Sequence, residues 1–232
     1  MRAPDTLSGR TAEFCYSLTV RSGLLPDGQE GRTFTERMRR AQIVDAATEV
    51  IAAHGLNGAS LIKIAESIGI SKGSVLYHFG NRAELMRQVV HTHYGRMAGA
   101  VLEGIDWNGS ATAILRDLVT RSIRISLEHG QARRAIAEII GNLRDGEGRH
   151  VITFDEKDDI YTGFEKVYRQ GQKSGEFRDF DVRPMAVIQQ SSVDGAVNYL
   201  ESHVDTNPAA FAESVAGLLV AAVRSGTGES HD

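Results

Sequence analysis

The stretch ASLIKIAESIGISKGSVLYHFGNRAEL, residues 59–85, decides how the chain folds. Ser60 stands directly before Leu61, Ile64, Ala65 and Ile68, which share one face of a short helix, and a serine in that position can cap the first free amides. Gly69 ends that helix and Ser71 can cap a second, running to about Tyr77. Asn81, followed three residues later by Glu84, has the capping-box spacing and opens a long helix striped by Leu85, Val89, His93 and Met97, extending to about Gly104. Two short helices joined through Gly69-Ile70-Ser71 spell a helix-turn-helix, whose second helix enters the DNA major groove by its N-terminal end.

Working outward, Ile43, Ala47, Val50, Ile51 and His54 place a helix before the motif, capped by Thr33 or Thr35 and stopped by Gly55. Residues 1–31 hold Pro4 and Pro26 and no sustained periodicity, and read as a tail. Beyond the Asp-Trp-Asn-Gly-Ser break at 106–110, Ile114, Leu118 and Ile125 mark one helix and Ile136, Ile139, Ile140 and Leu143 another, before an Asp-Gly-Glu-Gly loop at 145–148. Thr153 and Glu156 make a capping-box candidate ahead of Ile160, Phe164, Val167 and Tyr168, and a loop is expected over 171–181. The last two helices carry Met185, Ile188, Val193, Ala196, Val197 and Leu200, then Phe211, Val215, Leu218, Leu219, Ala222 and Val223. No segment alternates as a strand would, so the expected fold is all-α. The expected segments are a tail at 1–31, a helix-turn-helix domain at 32–80, a helical domain at 81–225 and a short tail at 226–232.

The 232 residues carry a net charge of −4, but the balance is uneven. Between Arg32 and Arg82, Arg32, Arg37, Arg39, Arg40, Lys63, Lys72 and Arg82 outnumber Glu36, Asp45, Glu49 and Glu66, a net of +3 that leaves the remainder acidic. A modestly basic module on an acidic body suits phosphate binding by one part of the chain. Composition, 41% hydrophobic and 24% charged, is that of a globular protein. The apolar runs are too short for a membrane span, and residues 14–20 lack the form of a signal peptide, which favours the cytoplasm. Cys15, the single cysteine, allows no internal disulfide.

The segment RRAQIVDAATEVIAAHG followed by residues 59–85 resembles the tetracycline-repressor (TetR) family of bacterial transcription regulators over residues 39–85, about a fifth of the chain. The resemblance rests on Ile-Ala-x-x-x-Gly-Ile-Ser-x-Gly, then an aromatic-rich helix end and an Asn-Arg helix start. It implies an N-terminal three-helix DNA-binding domain and a C-terminal helical ligand-binding and dimerisation domain, with the last two helices pairing across a homodimer. The helix-turn-helix pattern itself places Ser71, Lys72, Gly73 and Ser74 at the reading end; the resemblance further implies that Ser60 caps and touches phosphate, that Lys72, Gly73 and Ser74 face base edges, that His78 contacts phosphate or a base, and that Arg82 grips phosphate. Many members carry Tyr one place earlier, where this chain has Leu76, so which of Tyr77 and His78 reaches the DNA backbone stays open. The implied partners are double-stranded operator DNA, a second copy of the chain and a small-molecule effector, with no cofactor.

Other readings of the same residues are weaker. Phe79 suits a core aromatic locking the short helices together. His91 and His93 point roughly 200° apart on a helix and do not share a metal ion easily, and no other histidine has ligand spacing. The acidic run 155–159 suits a helix start. No nucleophile elbow, P-loop or dinucleotide fingerprint is present, so an enzyme is not expected. An effector-independent architectural DNA-binding protein is the principal alternative. For an effector pocket, Tyr94, Trp107, Phe164, Tyr168, Met185 and Gln189 are the candidates, with Tyr199 beside them.

Overall fold

A computed structural model describes residues 33–150 and 158–225. The two tails and the Thr153–Glu156 capping box lie outside the described residues. The described chain is helical throughout, broken only by turns and two isolated bridges, Arg144 with His150 and Phe177 with Arg224. Among the described residues no helix is long and apolar enough to cross a membrane. The helices are α1 Phe34–Gly58, α2 Leu61–Ser67, α3 Lys72–Phe79, α4 Arg82–Leu102, α5 Ala111–Glu128, α6 Gly130–Asn142, α7 Asp158–Ser174, α8 Val182–Ser202 and α9 Pro208–Val223. They form two compact units.

The first unit holds residues 33–96 and 129–150. Thr33 caps α1 through a reciprocal box: the Glu36 N–H donates to Thr33 Oγ1 at 3.3 Å and the Thr33 N–H to Glu36 Oε2 at 2.8 Å. Gly55, at φ +71°, takes α1 out of helical geometry, a left-handed conformation in which a side chain would be strained. Ile43, Ala47, Ile51, Ile64, Val75, Phe79, Leu85, Met86 and Val89 form one core with Ile136 and Ile139 of α6. Phe79 is buried there as expected, and truncating such a residue to Ala removes about 3–5 kcal/mol. The unit therefore extends past residue 80, taking in most of α4 and all of α6, which packs along α1.

The capping box expected at Asn81 is only half made. Asn81 Oδ1 accepts the Glu84 N–H at 2.9 Å, but the Asn81 N–H donates to the Phe79 carbonyl at 2.8 Å and the Glu84 carboxylate pairs with Arg87 at 2.6 Å. The tight turn at Gly80, φ +71°, gives Asn81 a nearer backbone partner than its own N3 side chain.

The second unit holds residues 97–128 and 158–225, with α5, α7, α8 and α9 packed on one another. Its core includes Ile114, Leu115, Leu118, Val119, Ile123, Phe164, Val167, Tyr168, Val193, Val197, Leu219 and Val223. Helix α7 runs through Gly171 to Ser174 where a loop was expected. Gly171 is buried under the Phe177 ring, and a Cβ there would lie 2.0 Å from Phe177 Cδ2, so this glycine admits a ring and does not end a helix. Ile188 and Leu218, expected among the apolar helix residues, are 53% and 73% exposed and stand outside the core.

Candidate nucleic-acid interface

Each short helix is set by a serine at its start. Ser60 Oγ accepts the Lys63 N–H at 3.1 Å, and Ser71 Oγ accepts the Ser74 N–H at 3.1 Å. Both serines are exposed, with extended backbone before the first turn, as capping residues require. Gly69, at φ +67°, turns the chain from α2 into α3.

Helix α3 buries Val75 and Phe79, which lie one turn apart and pin it to the core. On a helical wheel Gly73 and Tyr77 fall roughly opposite that pair. Both are exposed, Tyr77 at 77%, and no other tyrosine is as exposed among the described residues. Ser74 and His78 flank one side of this outward face and Leu76 the other, all half-buried, while Lys72 and Ser71 stand exposed at the N-terminal end. The rings of Tyr77 and His78 meet edge to face with centroids 5.1 Å apart. Seven of the eight DNA-facing candidates, all but Arg82, thus lie on the two caps and on α3. The face combines small residues that permit close backbone approach, a cation, hydroxyls and a projecting phenol, groups that contact phosphates and base edges.

Arg82 is placed differently. Its Nη2 donates to the Leu56 carbonyl at 2.5 Å and its Nε to the Ala59 carbonyl at 3.3 Å, so the guanidinium ties α4 to the end of α1 and the start of the motif. Pattern reading also missed Arg40. Its guanidinium donates to the His78 carbonyl and to Gln88 Oε1 at 3.5 Å, with Cζ 4.1 Å from the centroid of Phe79. A cation at the carbonyl end of α3 complements the helix dipole and fixes how far the helix projects. The pairing of basic residues in 39–40 with a helix C-terminus was visible in composition only as charge.

Among the effector candidates, Tyr94 packs in the first unit beside His93, with ring centroids 5.9 Å apart. Trp107, Phe164, Tyr168, Met185 and Gln189 belong to the second. There Tyr168 and Gln189, both essentially solvent-free, meet directly: the Tyr168 hydroxyl donates to Gln189 Oε1 at 2.7 Å. Burial pushes the Tyr168 phenol well above its ordinary value, so it stays protonated as a donor. Tyr199 is 44% exposed and stacks between His203 and Phe211, at 3.9 and 5.1 Å. Among the described residues no three His, Cys, Asp or Glu side chains converge as a metal site would need.

The family model for bacterial regulatory proteins of the tetR family matches residues 43–89, from the middle of α1 into α4. The transcriptional repressor AcnR of Corynebacterium jeikeium is 33% identical over 60 residues, covering 26% of this chain and 32% of the repressor. The AcnR protein of Corynebacterium diphtheriae is 31% identical over 87 residues, covering 38% and 43%. The chain therefore spans less than half the length of these two curated relatives. The probable transcriptional regulator ArpR of Pseudomonas putida is 28% identical over 172 residues, covering 68% of this chain and 78% of the regulator. In fold, a tetR-family regulatory protein from Rhodococcus RHA1 superposes with a TM-score of 0.65 at 22% identity, over 81% of this chain and 97% of that one. Motif and matched segment agree: residues 43–89 carry the DNA-binding segment of the tetR family of bacterial regulatory proteins, and the fold is one that solved members of that family share.

Proposed function

We propose that the chain is a homodimeric, sequence-specific DNA-binding regulator that represses transcription from a palindromic operator in the cytoplasm and is released by a small molecule. The observation that carries this reading is the outward face of α3, Gly73 and Tyr77 flanked by Lys72, Ser74 and His78, held by a buried Val75–Phe79 anchor. Lys72 and the small residues at the N-terminal end face base edges, and the Ser60 hydroxyl touches phosphate. Tyr77, the more exposed of the two aromatic neighbours, takes the phosphate contact, with His78 alongside it.

Dimerisation is supported by the large apolar side chains left in solvent on α8 and α9: Val187, Ile188 and Tyr199 on one, Leu218 on the other. Apolar groups of that size, outside a unit core, are what a second copy of the chain would cover. Two-fold symmetry then demands an operator with half-site centres about 10 bp or a multiple apart. The Corynebacterium relatives are named as repressors, which supports repression over activation. Release follows as a population shift, in which an effector favours the state whose reading helices are wrongly spaced. Selection of bound fragments from a random DNA pool tests the reading. It is expected to return an inverted repeat, and recovery of DNA without one would overturn it.

A further inference from the structure

Among the described residues Gln189 is the one buried neutral amide in the second unit's core, where it is 1% exposed among Met185, Ala186 and Val193 on the inward face of α8. Its two ends differ in kind. Oε1 is taken by the Tyr168 hydroxyl at 2.7 Å, whereas Nε2, fully buried, donates to nothing. Tyr168 is itself clamped by Phe180 and Phe177, ring centroids 5.5 and 6.2 Å away, and Phe177 lies on the bare backbone of Gly171. The phenol is packed between these rings, and its bond to Oε1 leaves both amide N–H donors turned from the tyrosine. A buried donor without an acceptor disfavours the folded state by about 1–3 kcal/mol, a cost that an acceptor arriving later would relieve.

The charge around it limits what that partner is. The buried carboxylate of the same unit, Glu165, is already held by Arg169 at 2.6 Å and Arg183 at 2.5 Å, and among the described residues no buried cation stands in the core to receive an anion. Met185, one turn before Gln189, is unbranched and repacks readily around a guest. We propose that the effector is an uncharged, mainly apolar molecule that presents a hydrogen-bond acceptor, a ketone, lactone or ester oxygen, to Gln189 Nε2. This rests on the effector-released reading above and names the class of molecule that reading leaves open.

The test uses the full-length protein and matched triplets of probes on naphthalene, steroid and medium-chain alkyl scaffolds: a neutral ketone or lactone, the corresponding carboxylate, and the acceptor-free hydrocarbon. Binding is measured by titration calorimetry without DNA, so its outcome is independent of whether an operator is ever found. The neutral acceptor should bind about tenfold or more tightly than either companion, and the Gln189 side-chain amide NMR signal should shift with it. Gln189→Leu should level the acceptor with the hydrocarbon. Because Gln189→Leu alone strands the Tyr168 hydroxyl, the double variant Tyr168→Phe/Gln189→Leu, which removes both polar partners, should restore the melting temperature and keep the levelled preference. A preference for the carboxylate or the hydrocarbon, an unchanged acceptor preference in the variants, or binding of no triplet would overturn the proposal.

Discussion

Glu138 reaches from α6 to the break in α1, where its Oε1 accepts the Leu56 N–H at 2.7 Å. On the other face of the same residue Arg82 Nη2 takes the Leu56 carbonyl at 2.5 Å. The backbone of Leu56, immediately after left-handed Gly55 and just ahead of the Ser60 cap, is thus held from both sides. Helices end with unsatisfied backbone groups, and here two charged side chains supply the partners that set the direction of the chain into the helix-turn-helix.

Glu138→Ala should therefore destabilise the first unit by about 1–3 kcal/mol, the range for stranding a part-buried backbone donor from a charged acceptor. Glu138→Gln, which keeps a neutral acceptor, should recover a good part of it. Thermal unfolding followed by circular dichroism measures both, and equal melting of all three proteins would show that the contact does not stabilise the unit.

Arg82 separates a strut from a phosphate grip. If its main work is on the Leu56 and Ala59 carbonyls, Arg82→Ala lowers the melting temperature and weakens operator binding while leaving the salt slope of binding nearly intact. Loss of a phosphate contact would instead reduce that slope by about 1. Binding titrations across a salt series, read with the melting curves, distinguish the two.

Glu176 caps α5 from afar, accepting the Ala111 N–H at 2.9 Å on one oxygen and the Thr112 N–H at 3.0 Å on the other. Burial pushes its carboxyl up, but the Thr112 and Ala111 amides, with the Thr112 and Ser174 hydroxyls, bring it below its ordinary 4.5. A carboxyl lowered on folding stabilises fully above its unfolded value and loses that stabilisation as pH falls through the lowered one. Glu176→Ala should cost on the order of 1 kcal/mol at neutral pH, as removal of a helix cap does, with the difference from wild type vanishing in acid. Melting temperatures over an acid pH series test this.

His93 should make the protein acid-sensitive. Burial first, then the positive charges of His129, Arg96 and Arg133, push its imidazole from 6.5 down to about 4. The unfolded chain then binds a proton between those values that the folded chain does not, so stability is full above 6.5 and falls as the pH drops towards 4. His93→Gln should flatten that part of the profile. A wild-type profile flat from pH 6.5 to 4 would contradict it.

Local chemistry was the readable part of this sequence. The caps at Ser60 and Ser71, the turn at Gly69 and the core aromatic Phe79 each depend on neighbours within a few residues, and the spacing carries them, while Val75 beside Phe79 emerges only from the packing. The contacts that position the motif do not. Glu138 meets Leu56 across 82 residues, Arg40 meets the His78 carbonyl across 38 and Arg82 meets Leu56 across 26, so a cation or carboxylate on a helix pattern reads only as surface charge. Gly171 was misread for the same reason: its role is set by Phe177, whose ring lies over the helix, while a glycine in a helical pattern ordinarily signals an end. The exposed Ile188 and Leu218 keep an apolar pattern because hydrophobicity alone does not say whether the core or another surface covers a side chain.

Lys72 is where base reading by the N-terminal end of α3 is put to the test. With an inverted-repeat operator in hand, affinity of Lys72→Ala for that operator and for all single-base variants of it should be compared with wild type. A loss of about 1–3 kcal/mol and relaxed preference at one position in each half-site are expected. Unchanged affinity and unchanged preference at every position would contradict it.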